Sequence, residues 1–274
     1  MTVPFEPPSI VVGIDGSRAA ARAALWALDE AIGRGLELRL VAAAETDQDT
    51  DSAQSALRTA VSALESAGRP GLPGIRTEVV AAGPVVALLE AGRTAAMICL
   101  GAVGRRHFEH NRLGSTVNAL VASAHCPVAV VRGGDRAASG WVVVELDRNP
   151  DSAGVLQFAV EEARMRTAPL RVLGTWADDA HGPHSSAESD HLVRIQLDRR
   201  LETWRHRYPD LDVAPVAVRG SALSYLHEHR NAVQLVVVGV RNSGGVAELL
   251  GPAGHAALHD TDCSIVLVDH QRLL

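Results

Sequence analysis

Two stretches of this 274-residue chain carry residue types that hold anions rather than make or break bonds. Residues 101–104 read Gly-Ala-Val-Gly, and Gly114-Ser115-Thr116 follows after nine intervening residues. Glycine lets the main chain approach a ligand closely and turn with positive φ. A helix opening at Ser115 would present unpaired N–H groups and the positive end of its dipole, which together attract a phosphate. Ser115 adds a hydroxyl, and Arg105, Arg106 and Arg112 offer charge-assisted hydrogen bonds to phosphate oxygens. Earlier, residues 9–15 read Ser-Ile-Val-Val-Gly-Ile-Asp, an apolar run that ends on an acid. Asp15 can accept from a ribose hydroxyl or help hold a hydrated magnesium ion. These parts suit a nucleotide. Taken singly, each has a plainer explanation. A glycine after a strand is often a turn, Gly114 can simply precede a helix, and an aspartate here is commonly an Asx turn or a helix cap.

The elements that must bring these residues together read as an α/β chain. Residues 9–15 are a short β-branched run of the kind found in buried parallel strands. Residues 17–35 follow with Ala, Leu and Trp at helical spacing and Ser17 placed as cap. Strands over 38–45, 76–82, 96–101 and 127–133 alternate with helices over 50–67, 84–95 and from Ser115. This alternation implies a doubly wound parallel sheet. In such sheets ligands bind beyond the carboxyl ends of the strands, where strand order reverses. The first strand ends in Gly13-Ile14-Asp15 and the fourth in Gly101, so neighbouring positions would line one crevice with both.

The pattern then recurs. After the Gly/Ala-rich joint at 133–140 come strands at 141–147, 170–176, 213–220, 234–240 and 264–270. Helices fall at 151–167, 191–207, 221–233 and after Gly251, with a polar segment at 177–190. Asp15 matches Asp147, Gly83 matches Gly220, Gly101 matches Gly239, Gly114 matches Gly251, and Cys126 matches Cys263. The chain is therefore two tandem homologous domains, 1–134 and 139–274.

Composition excludes several chemistries. No lysine is present, so all 26 basic residues are arginine. Lysine-based phosphate loops, Schiff bases and lysine general bases are ruled out. The net charge of −6 argues against a nucleic-acid partner. Three cysteines form no disulfide framework and suit a reducing compartment. Burial explains Cys126 and Cys263 better than redox sensing. No signal-like leader and no membrane-length apolar run is seen, which makes a cytoplasmic location the expectation. Among the histidines, His107 and His110 lie in a polar loop, and His181 and His184 flank a connector. His255 and His259 are spaced i, i+4 on a helix. No glutamate or cysteine completes a zinc set around any of them, so no metal site is expected there. Trp26 and Trp204 fall on apolar helix faces and are expected in the core.

The spacing Gly101-x2-Gly104-x9-Gly114-Ser115, preceded by VVGIDGS and followed by CPVAVVR, resembles the universal stress protein family in its tandem-domain, nucleotide-binding branch. The resemblance covers nearly the whole chain, once per half. It implies a five-stranded parallel sheet of order 3-2-1-4-5 in each domain, ATP at the switch point, and homodimerisation through the last strand. By position, Gly13, Ile14 and Asp15 would line the adenosine and Ala43 would contact the adenine. Gly101, Gly104, Gly114 and Ser115 would hold the phosphates, with Thr116 beside them and Arg105 in reach. The expected activity is that of a nucleotide-dependent stress regulator with little or no turnover. A slow magnesium-dependent hydrolase, or a dimeric scaffold that has lost its nucleotide, are the alternatives. The bulky loop His107-Phe108-Glu109-His110 departs from the family's small, glycine-rich one. The second half departs further: Gly13 becomes Glu145, Gly104 becomes Asn242 and Ser115 becomes Pro252, which lacks an N–H. That half is expected to bind ATP weakly or not at all.

Overall fold

The structure, a computed structural model, describes residues 7–102, 115–132, 140–147, 152–177, 186–258, 261 and 263–269. The chain divides into two compact units between residues 135 and 136. The first unit runs β1 (Ser9–Gly13), α1 (Arg18–Arg34), β2 (Glu37–Ala43), α2 (Asp47–Ser66), β3 (Ile75–Val80), α3 (Pro84–Ala91), β4 (Ala95–Gly101), α4 (Ser115–Ser123) and β5 (Val128–Val131). Its strands are parallel in the order β3-β2-β1-β4-β5. The connection from β1 goes to one side, through β2 to β3, and the chain then returns past β1 to β4. The switch point thus lies at the carboxyl end of β1.

Local sequence explains these elements. Ile10, Val11 and Val12 are fully buried, as a strand covered by helices on both faces must be. Ser17 caps α1 by accepting from the Ala20 N–H, and Gly35 ends it in the left-handed conformation (φ 65°). The stripe Ala20, Ala23, Ala24, Ala27 and Ala31 lets α1 lie close to the sheet. Thr46 caps α2 in a reciprocal pair with Asp49, its hydroxyl accepting from the Asp49 N–H at 3.2 Å and donating to Oδ2 at 2.7 Å. Glu30 on α1 is buried and paired with Arg34 one turn later.

The second unit repeats the plan with β6 (Trp141–Glu145), α5 (Ala153–Met165), β7 (Leu170–Trp176), α6 (Ser186–Arg207), β8 (Val213–Arg219), α7 (Ala222–Glu228), β9 (Val233–Gly239), α8 (Ser243–Leu250), α9 (Pro252–Leu258) and β10 (Ser264–Val268). Its parallel order is β8-β7-β6-β9-β10, the same 3-2-1-4-5 arrangement. Even the buried ion pair recurs, as Glu162–Arg166.

Three expectations needed correction. Helix α8 lies ahead of the one helix expected here, after Gly251, and its Gly244-Gly245 pair disfavours helix locally. It forms because Asn242 caps it, accepting from the Gly245 N–H at 3.1 Å, and because Leu249 is buried. Helix α6 starts at Ser186, inside the segment expected to be irregular. Trp26 and Trp204 are only half-buried. The alanine stripe of α1 and the Val193, Leu197, Leu201 stripe of α6 already fill the contact with the sheet, so each indole falls at its margin. Trp204 stacks instead on Tyr208, with ring centroids 6.2 Å apart.

Cys99, Cys126 and Cys263 are buried thiols, and burial pushes Cys126 up to about 12. No described helix is long and apolar enough to cross a membrane. His107, His110, His181, His184 and His259 lie outside the described residues, as does the side chain of His255. Among the described residues, no three His, Cys, Asp or Glu side chains cluster as a metal set.

Candidate functional site

A cavity of about 800 Å³ opens at the carboxyl ends of β1, β2 and β4 in the first unit. Its wall includes Gly13, Ile14 and Asp15 after β1, Ala43 at the end of β2, Gly101 at the end of β4, and Ser115 and Thr116 in the first turn of α4. Sheet register fixes this meeting. Gly13 pairs with Val41, the Ile14 N–H donates to Val41 at 2.8 Å, and the Ala44 N–H donates to Val80 at 2.9 Å. The strand ends are therefore level, and their loops open on one side. Gly104, Arg105 and Gly114 lie outside the described residues, as do Arg106, Phe108 and Arg112.

Two of these residues also have structural work. Asp15 is exposed, and its Oδ1 accepts from the Ser17 N–H at 2.9 Å, an Asx turn completed by Gly16 at φ 77°. Gly101 does not take positive φ, contrary to expectation. Its lack of a side chain serves packing, since a Cβ there would lie 2.5 Å from the Ala19 carbonyl carbon. The end of β4 thus passes directly under the first turn of α1. Gly13 is tight for the same kind of reason, with Leu100 Cδ2 2.7 Å from a Cβ position.

The wall also includes residues not singled out from the sequence. Glu45, Asp49, Ser52 and Ala53 come from the β2–α2 connection and the first turns of α2, and Pro84, Val85 and Leu88 from α3. One signal was available: Glu45 immediately follows β2, and Gly83-Pro84 opens a helix at the same end of the sheet. The lining is consequently mixed: apolar side chains come from α3 and Leu100, and acids from Asp15, Glu45 and Asp49, with the Glu45 carboxylate beside Gly83 at the start of α3. The described lining contains no arginine.

The second unit treats the equivalent positions differently. Glu145 pairs with Leu173 as Gly13 pairs with Val41, so Glu145 stands where Gly13 does and Thr175 where Ala43 does. The Thr175 hydroxyl donates to Glu145 Oε1 at 3.4 Å, and the carboxyl is buried. Its Oε2 faces Gly245 and the Asn242 amide without a well-formed hydrogen bond. Burial pushes the Glu145 carboxyl above the ordinary glutamate range. Hydrogen bonding from Thr175 and Asn242 opposes this shift, while the charges of Glu248 and Asp147 add to it. After β6, Arg200 of α6 donates to the Asp147 carbonyl at 3.0 Å and to Ser152 Oγ.

A family model described as the universal stress protein family matches residues 8–132 and again 141–269. The chain is 39% identical over 290 residues to the universal stress protein Rv2028c of Mycobacterium tuberculosis, with all of both chains covered. It is 40% identical over 273 residues to the universal stress protein Rv2624c of the same organism, covering 95% of this chain and 96% of that one. Among solved structures, a universal stress protein from Archaeoglobus fulgidus superposes with a TM-score of 0.66 at 16% identity, over 97% of each chain.

Proposed function

Because the chain belongs to the universal stress protein family, we propose that its first unit binds ATP and acts as a nucleotide-dependent regulator in stress response, with little or no turnover. One observation carries this reading. Residues far apart in sequence, from Gly13 to Thr116, line a single cavity at the switch point of a parallel sheet. The adenosine lies against the ends of β1 and β2, with its ribose hydroxyls within reach of Asp15. The phosphates run toward Ser115 and Thr116; the phosphate roles of Gly104, Arg105 and Gly114 rest on the family's glycine spacing.

The carboxylates at Asp15, Glu45 and Asp49 would repel a bare triphosphate. A magnesium ion carried on the triphosphate would offset that repulsion, since it commonly takes one or two carboxylates together with phosphate oxygens and water. Among the described lining residues no nucleophile is hydrogen-bonded to a general base, which supports a binding role over catalysis. The second unit, with Glu145 where close approach needs glycine, takes no nucleotide in this reading. Self-association through the final strands and a cytoplasmic location belong to the same proposal. Light scattering giving a monomer mass would remove the first.

Mass spectrometry of the denatured, purified chain tests the core of the reading. ATP or AMP should be released, about one per chain. Incubation with magnesium-ATP should then give no catalytic accumulation of product. Steady turnover would convert the regulator into a hydrolase. A nucleotide-free protein with no thermal shift on adding magnesium-ATP would leave a scaffold.

A further inference from the structure

The second unit holds a buried acid that nucleotide binding does not use. Glu145 ends β6, is only 7% exposed, and lies under the first turn of α8. Its Oε2 is 2.5 Å from where a Cβ on Gly245 would sit, so the helix backbone rests directly on the carboxyl. We propose that Glu145 is a proton-controlled latch: neutral, it lets α8 seat over the carboxyl end of β6, and ionised, it drives that helix off.

The groups facing the carboxyl set the direction. From β7 comes Thr175, a neutral donor. From α8 come Asn242, whose Oδ1 is already engaged with the Gly245 N–H, and Glu248, an acid. From the loop after β6 comes Asp147, a second acid. On β9 the register partner is Val238, which is apolar and fully buried. Arg200 is directed to the Asp147 carbonyl and Ser152, and among the described residues no arginine pairs with Glu145. A negative charge here would gain from two neutral donors and the amino end of a short helix. Against this stand the loss of water and two like charges. Burial dominates, and the carboxyl is raised accordingly.

The docked form therefore binds the proton more tightly than the open form. Docking is strongest below the ordinary glutamate value and weakens as pH rises through the window above it. Hydrogen exchange of the full chain, followed by mass spectrometry on peptides covering 243–250, reads this directly. After correction for intrinsic exchange from about pH 5 to about pH 9, protection of α8 should fall about tenfold for each unit by which docking raises the carboxyl.

Glu145→Gln, neutral throughout, should keep α8 protected and flat across the range. Thr175→Val removes a bond that favours the ionised form, so it should move the fall to higher pH. Equal profiles for the wild type and Glu145→Gln, or better protection at high pH, would overturn the latch. Should Glu145→Gln not fold, the Thr175→Val profile decides: an unmoved or lowered midpoint also rejects it.

Discussion

The carboxyl end of β1 and that of β6 are the same place in two copies of one fold, yet a glycine and an alanine line the first where a buried acid and a threonine meet in the second. In the first copy Gly13 and Ala43 leave the wall bare, and a cavity of about 800 Å³ remains. In the second, Glu145 and Thr175 reach across those positions and join, and the first turn of α8 lies on top. Two side chains in a repeated scaffold replace a bare cavity wall with a buried polar contact. The sheet order is untouched, because it depends on the apolar runs and not on the residues at their ends. The residues at the strand ends can thus change while the architecture holds.

The strongest way to break the comparison is to write one copy's residue into the other. Gly13→Glu should weaken magnesium-ATP binding by at least about a hundredfold, since it places a buried charge and a tight side chain in the wall. Calorimetric titration showing unchanged affinity would detach Gly13 from the site.

Next in size is a contrast between matched glycines. Gly101→Ala should cost about 3 kcal/mol, because its Cβ meets the backbone of Ala19. Gly239→Ala should cost about 1 kcal/mol or less, because its Cβ meets the side-chain atom Val155 Cγ2 at 3.1 Å and comes no nearer than 4.0 Å to backbone, at Val268 O. Urea unfolding measures both, and equal losses would contradict the packing difference.

A smaller effect separates turn from ligand at the acids. Asp15→Asn keeps an acceptor for the Ser17 N–H, so stability should hold while magnesium-ATP affinity falls about tenfold. Asp147→Asn should leave nucleotide affinity unchanged. Matching losses in the two variants would mean that both copies bind.

The last effect is confined to alkaline pH and concerns Cys126, whose folded thiol is raised from 9.0 to about 12 by burial. The folded state holds that proton more tightly than the unfolded chain. The associated stability is complete below pH 9 and is lost as pH rises toward 12. The urea midpoint of the wild type should therefore fall more steeply over this window than that of Cys126→Ala. Parallel curves would remove the thiol as the cause.

Much of the fold is legible from residues 9–15 and their echo at 141–147. β-branched runs flanked by capped, alanine-rich helices specify buried parallel strands wherever they occur. The meeting of Asp15 with Gly101 and Ser115 also follows, because loops after parallel strands share one end of the sheet. Glu45, Asp49 and the α3 wall were harder to see, since nothing in their residue types announces a site. Helix α8 was hidden for another reason: Gly244-Gly245 discourages a helix locally, and the Asn242 cap and the burial of Leu249 override that preference.

By itself the sequence determined the duplication, the layering of helices on parallel strands and the end of the sheet where ligands belong. Those depend on periodicity and on caps, which act over a few residues. Only the tertiary structure decided that Gly101 yields to the backbone of Ala19, and that Glu145 meets a threonine thirty residues away. Such contacts depend on strand register and helix height, which emerge when the whole core closes.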